Sequence, residues 1–229
     1  MASDSKDIAG PAQEKLKLKL YSYWQSNCSQ RVIIVLNLKG LDYEYKAVDL
    51  LKGDQFDLEF EKLNPIGYVP VLVDGDAVVG DSYAIVLYLE DKYPQHPLLP
   101  KDLKKKALNL QVASIVCSSI QPFHNLLIQK FMETKFNADE KLKLVQHHVE
   151  KGLSALEKLL KDVPGKYATG DEVLLADVFL APQLNFAVTW LGIDTTQYPR
   201  LARADVAYNE LPAFQAALPE RQPDYPSSS

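Results

Sequence analysis

A chain of 229 residues, 47% hydrophobic and 24% charged, is long enough for one large or two small globular domains with a real core. Its formal net charge of −5 offers no basic footprint for nucleic acid, and no apolar run approaches the ~20 residues of a membrane-spanning helix. Cys28 and Cys117 are the only cysteines, far apart and outside any Cys-x-x-Cys pair, while His147 and His148 are adjacent and point different ways on a helix. A disulfide framework and a metal site are therefore both disfavoured, and the histidine pair reads as surface positions on a charged helix.

In chain order, residues 1–15 are polar, carry Asp4 and Asp7 and lack an apolar signal core. They read as a disordered leader, with a cytoplasmic location as the default. Alternation over about 17–22 predicts a strand, and the apolar run from Val32 predicts a buried helix over about 29–39, closed by Gly40. A second strand follows at Tyr43–Val48. Asn64-Pro65-Ile66-Gly67 marks a turn, and Val69–Val73 and Ala77–Val79 flank Asp74-Gly75-Asp76 as a hairpin. Asp81-Ser82 then caps a helix through Ile85, Leu89 and Tyr93, which Pro94 stops. The order β-α-β, β-β-α implies a sheet of about four strands with a parallel pair and an antiparallel hairpin.

From Asp102 onward the pattern changes. Ala107 to Val116 recur at helical spacing, Pro122 bends or restarts the chain, and Leu142 to Leu160 form a long apolar stripe. Gly165–Gly170 read as a turn, Leu174–Leu184 as an apolar helix kinked at Pro182, and Pro199–Tyr208 as a last helix. The expected fold class is thus an α/β domain over 16–96, a linker at 97–101, an all-α domain over 102–222 and a tail at 223–229.

Three features carry chemistry. Ser26-Asn27-Cys28-Ser29 lies on a strand-to-helix turn, where free backbone N–H groups and the helix dipole favour an anion such as a thiolate. Pro70 inside an apolar strand marks an edge, a bulge or a cis bond; a cis bond would free the backbone of Val69 for an extended peptide-like ligand. Asp81-Ser82 is a helix cap that also suits a ligand bearing both an ammonium and a carboxylate group.

These motifs, with Asn64-Pro65, Leu41-Asp42-Tyr43, Ile120-Gln121-Pro122, Gly170-Asp171-Glu172 and Arg221-Gln222-Pro223-Asp224, resemble the zeta class of glutathione transferases, also called maleylacetoacetate isomerases, and their plant members most. The resemblance covers roughly residues 16–225. It implies a thioredoxin-like domain holding glutathione, an all-helical second domain and a homodimer. It further implies that Ser26 holds the glutathione sulfur as a thiolate, that Asn27 stands where a second serine is common, and that Cys28 is the class cysteine. Gln55 would touch the glycyl end and Val69 the cysteinyl backbone. Asp81 and Ser82 would hold the γ-glutamyl group, and Gln121 and Asn125 would face the site from the helical domain. The implied chemistry is thiolate addition to a conjugated cis double bond, rotation and elimination, or transfer of glutathione to an electrophile.

The chain departs from the class at substrate positions. Gln25 stands where an arginine precedes the turn; Arg31 is retained, but Ile33 replaces the next arginine, and Trp190 occupies the place of a substrate-facing arginine. Loss of such grips, each worth about 1.5–3 kcal/mol, implies a less acidic and more apolar substrate unless Arg203 or Lys130 supplies the charge. Leu174 also stands where a helix-capping Ser or Thr is common, an expected cost of about 1 kcal/mol. Two further readings stay open: a thiol transferase or dehalogenase using Cys28, and a non-catalytic carrier of aromatic ligands against Trp190 and Phe186.

Overall fold

The computed structural model describes residues 18–226; the expected leader at 1–15 and the end of the expected tail, residues 227–229, lie outside them. Strand β1 (Leu18–Ser22) buries Leu18, Leu20 and Ser22 and exposes Lys19, as alternation requires. Helix α1 (Asn27–Leu38) is buried continuously from Ser29 to Leu36, which explains its lack of a polar face. It starts earlier than its apolar run because Ser26 Oγ accepts the Ser29 N–H, at 3.2 Å, and fixes the first turn. Gly40, at φ +63°, ends it, with the Leu41 N–H reaching back to the Leu36 carbonyl.

Strand β2 (Tyr43–Ala47) runs parallel to β1, and a short helix α2 (Leu58–Glu61) follows. Strands β3 (Val71–Asp74) and β4 (Ala77–Gly80) form the expected hairpin, with β3 antiparallel to β1. The sheet order is β2-β1-β3-β4. Strand β3 begins two residues later than the apolar run does, because the Val69–Pro70 bond is cis and Pro70 has no N–H to give to a ladder. Helix α3 (Ser82–Lys92) is capped by Asp81, whose carboxylate accepts the N–H groups of Tyr83 and Ala84.

Among the described residues the rest is helical. Helix α4 (Leu103–Ile115) runs into a π-helical turn, Val116–Ile120, and a 3-10 turn, Gln121–His124. Asn125 then caps α5 (Leu126–Glu133), a helix not anticipated from the sequence because eight residues give too short a window for periodicity. Helix α6 (Ala138–Leu160) starts at a reciprocal cap between Asn137 and Glu140. Helices α7 (Leu175–Thr189), α8 (Pro199–Tyr208) and α9 (Pro212–Gln215) complete the chain.

Leu174 provides no side-chain cap to α7. The buried carboxylate of Asp177 takes over: it accepts the N–H groups of Leu174 and Ala168, each at 2.8 Å, and the hydroxyl of Tyr208 at 2.6 Å. The main apolar core runs through both parts of the chain, from Leu20, Ile34 and Leu72 to Val112, Leu153 and Phe179, and a smaller cluster of Tyr23, Val48, Phe60, Val69 and Val71 stands apart from it. Between α3 and α4 the chain is fastened by the buried Lys39, which pairs with Glu90 at 2.9 Å and donates to the carbonyls of Tyr93, Gln95 and His96. Glu90 in turn accepts the N–H groups of Leu98 and Leu99.

Candidate active site

Between the C-terminal edge of the β1–α1 turn and the helices α5–α7 lies a cavity of about 860 Å³, ample for a tripeptide and a second small molecule. Gln25, Ser26, Asn27, Cys28, Gln55, Val69, Asp81, Ser82, Gln121, Asn125 and Trp190 all line it. Residues up to 165 positions apart in the sequence thus converge on one site, and none of the expected site residues lies elsewhere.

Local chemistry sets what each can offer. Ser26 Oγ spends a lone pair on the Ser29 N–H, so its own proton remains free for a sulfur anion. Asn27 Nδ2 and Gln55 Oε1 are buried without a hydrogen-bond partner. Val69 has no backbone partner among the described residues and adjoins the cis bond, leaving an extended edge for a peptide. Asp81 is held at φ +72°, a conformation that non-glycine residues rarely adopt, by its own capping hydrogen bonds. Asn125 spends its oxygen on the cap of α5, accepting the N–H groups of Leu127 and Ile128, so its amide N–H groups are what it can give a ligand.

Beneath this floor lies Arg31. Its Nη1 donates to Ser82 Oγ at 3.2 Å, Cys117 Sγ at 3.4 Å and Cys28 Sγ at 3.6 Å. Burial pushes the Cys117 thiol up to about 11, against the opposing pull of Arg31, so Cys117 stays protonated near neutrality. Both cysteines are free thiols.

The far wall is apolar: Leu127, Leu142, Val145, Phe186, Trp190 and Leu191. Among the described residues no arginine lines the cavity. Of its two lysines, Lys141 is paired with Glu133 at 2.7 Å, and Lys130 is exposed at the rim; Arg203 does not reach it. His124 is a lining residue that sequence reasoning missed. Its ring nitrogen bonds Gln183 Oε1 at 3.0 Å, it stacks on Phe186 with centroids 4.2 Å apart, and burial lowers its pKa to about 4. The available signal was the spacing Gln121, His124, Asn125, which puts all three on one side of a helical turn. The adjacent pair behaves unequally: His147 is exposed, but His148 is half-buried and stacks on Phe123 at 3.7 Å.

The C-terminal segment closes over the active-site turn from outside. Asp224 accepts the Trp24 N–H at 3.1 Å and the Tyr45 hydroxyl at 2.7 Å. The Trp24 ring meets Tyr225 edge-on at 4.9 Å and lies 6.4 Å from Trp190.

Comparison with known proteins agrees with this geometry. Residues 20–97 match the N-terminal domain model of glutathione S-transferases and residues 139–203 the C-terminal one. A zeta-class glutathione S-transferase of Euphorbia esula is 60% identical over 92% of this chain and 93% of its own length. The chain belongs to the zeta class of the glutathione S-transferases. Maleylacetoacetate isomerase of Rattus norvegicus is 41% identical, over 91% of this chain and 95% of its own. The crystal structure of maleylacetoacetate isomerase from Anaeromyxobacter dehalogenans with GSH in its active site superposes with a TM-score of 0.83, at 41% identity, covering 92% of this chain and 98% of that one. The same bacterial enzyme has also been crystallised with dicarboxyethyl glutathione and citrate in the active site. As a member of this class the transferase is a glutathione-dependent enzyme, with glutathione as its cofactor.

Proposed function

We propose that the transferase uses glutathione to isomerise a conjugated cis double bond, or to conjugate an electrophile, and that its second substrate is not a dicarboxylate. The observation that carries the first part is the convergence of Ser26, Asn27, Gln55, Val69, Asp81 and Ser82, with their unspent donors and acceptors, on one cavity. Bound glutathione supplies a nucleophilic thiolate that makes and releases a bond to carbon. Ser26 donates its hydroxyl proton to hold that sulfur as an anion, at the positive end of α1. Asn27 and Cys28 flank it, Gln55 takes the glycyl end, and the backbone of Val69 pairs with the cysteinyl residue. Asp81 takes the ammonium and Ser82 the carboxylate of the γ-glutamyl group, while Gln121 and Asn125 close the site from the helical side.

The second part rests on the wall opposite. Gln25 and Trp190 place an amide and an indole where a carboxylate would need a guanidinium, and Lys130, at the rim, is the single unpaired cation lining the cavity among the described residues. An aromatic or extended apolar cis-enone or electrophile, with at most one carboxylate at the Lys130 end, fits this lining.

The domain limits follow the same reading: a glutathione-binding domain over 16–96, a linker at 97–101 and a substrate-binding domain over 102–222. Homodimerisation is supported by the exposed Leu51, Phe56, Leu58 and Ile66 of the first domain. A glutathione-dependent enzyme with two free thiols suits the reducing cytoplasm.

Turnover with glutathione is to be measured on maleylacetone beside a neutral aromatic cis-enone. The enone is expected to be the better substrate. Efficient use of maleylacetone would overturn the substrate assignment, and tight binding of aromatic ligands without any turnover would favour a carrier. A Cys28→Ala variant that keeps isomerisation while Ser26→Ala loses it separates this reading from a Cys28-centred thiol transferase or dehalogenase.

A further inference from the structure

Arg31 is the anomaly of this fold. It is 1% exposed, and among the described residues it has no carboxylate within ion-pair distance. One nitrogen, Nη1, donates to a hydroxyl and two thiols, Cζ lies 5.0 Å from the centroid of the Phe179 ring, and Nε and Nη2 have no partner among the described residues. Lys39, at the C-cap of the same helix and also buried, shows how this protein neutralises a cation: one carboxylate and three carbonyls. A buried cation without a counter-charge is strongly disfavoured, and even fully paired buried ions can often be replaced by apolar residues of similar volume without loss of stability. Its retention therefore points to an anion that arrives with a ligand.

The geometry identifies where that anion sits. Arg31 does not line the cavity, but two of its three acceptors, Ser82 and Cys28, do. The contact to Ser82 is an ordinary N–H···O distance, 3.2 Å, whereas the two sulfur contacts are weak acceptors. Ser82 Oγ thus has a lone pair held by a guanidinium, and its only proton is free for the cavity. A hydroxyl polarised in this way is a better donor to a carboxylate than an isolated one. It also stands at the first turn of α3, beside Asp81, whose carboxylate takes the N–H groups of Tyr83 and Ala84.

We propose that Arg31 is the buried counter-charge of the γ-glutamyl carboxylate of glutathione, acting through Ser82 as a positioning residue. The proposal rests on the assignment of this cavity to glutathione. Arg31 contributes nothing to the wall a substrate sees, yet it sets how strongly the Ser82 end of the site prefers a negative charge, and the energy of leaving it unpaired in the empty protein is recovered on binding.

The test compares two ligands by calorimetry: glutathione, and 4-aminobutyryl-cysteinylglycine, which differs only in lacking the γ-glutamyl carboxylate. The wild-type protein is expected to prefer glutathione by about tenfold or more, the worth of one charged hydrogen bond. Arg31→Met, similar in volume and uncharged, is expected to bind the two within about threefold of each other. Its melting temperature without ligand should equal or exceed that of the wild type. Arg31→Met that keeps the full wild-type preference overturns the proposal, as does a wild-type protein that binds both ligands equally. Should Arg31→Met not fold, Arg31→Gln serves in the same comparison; failure of both to fold would make Arg31 structural and refute the assignment. A wild-type protein that binds neither ligand would instead refute the glutathione reading of the cavity.

Discussion

Ser26 serves two masters, and the two can be separated by measurement. Its oxygen caps α1, and in the proposed function its free proton holds the glutathione sulfur. Ser26→Ala should cost about 1 kcal/mol of stability through the lost cap and about a hundredfold in kcat/KM through the lost donor. The thiolate absorbance of the glutathione complex should then appear at higher pH than in the wild type. His124 acts through its charge state. It is neutral in the folded protein because burial depresses its pKa to about 4, below the ~6.5 of an unfolded histidine. The unfolded chain therefore takes up a proton first, so stability from this group is complete above pH ~6.5, falls between pH ~6.5 and ~4, and changes no further below. The loss should reach at most about 3 kcal/mol, and His124→Gln should flatten that stretch of the curve in urea titrations at several pH values. Sequence reasoning reached Ser26 because a hydroxyl on a strand-to-helix turn is a chemical signal in itself. It did not reach His124, whose meaning comes from Gln183 and Phe186 on α7, some sixty residues away.

The same contrast holds for elements. The sheet was legible because its turns are written in local chemistry: Asp74-Gly75 for the hairpin, Gly40 at φ +63° for the end of α1, Asp81 for the start of α3. The π-helical turn at Val116–Ile120 was not, because it is imposed by packing. Gly152 of α6 admits Ile120 so closely that an added Cβ would lie 2.2 Å from Ile120 Cγ1. Gly152→Ala should therefore destabilise by roughly 1–3 kcal/mol, and it should also raise the KM for glutathione, because Ile120 immediately precedes Gln121 in the cavity wall. Thermal unfolding and steady-state kinetics on this one variant test both effects. If the melting temperature falls while KM is unchanged, the turn is a packing detail and does not position the site. The Leu174 position shows the reverse case, in which a missing local signal was covered from elsewhere by Asp177 and Tyr208.

At the scale of the whole molecule, the mixed part and the helical part read as separate units in the sequence, yet share one continuous core. The composition change near residue 97 marks where strands stop, not where packing stops. Unfolding should accordingly be a single transition by fluorescence and far-UV circular dichroism alike. Lys39→Met, which strands Glu90 beside the linker, should lower stability by about 3–5 kcal/mol without splitting that transition. The clamp of Asp224 on Trp24 and Tyr45 adds a condition of another kind. The residue that fastens the turn presenting Ser26 follows it by 200 residues, counted from Trp24 to Asp224. A growing chain can therefore build its sheet and most of its helices while that turn still lacks its fastening. A chain ending at Gln222, which still ties that residue to the carbonyls of Ala216 and Leu218, should fold but bind glutathione more weakly than the full chain. Equal affinity in a calorimetric titration would show that completion of the site does not depend on Asp224.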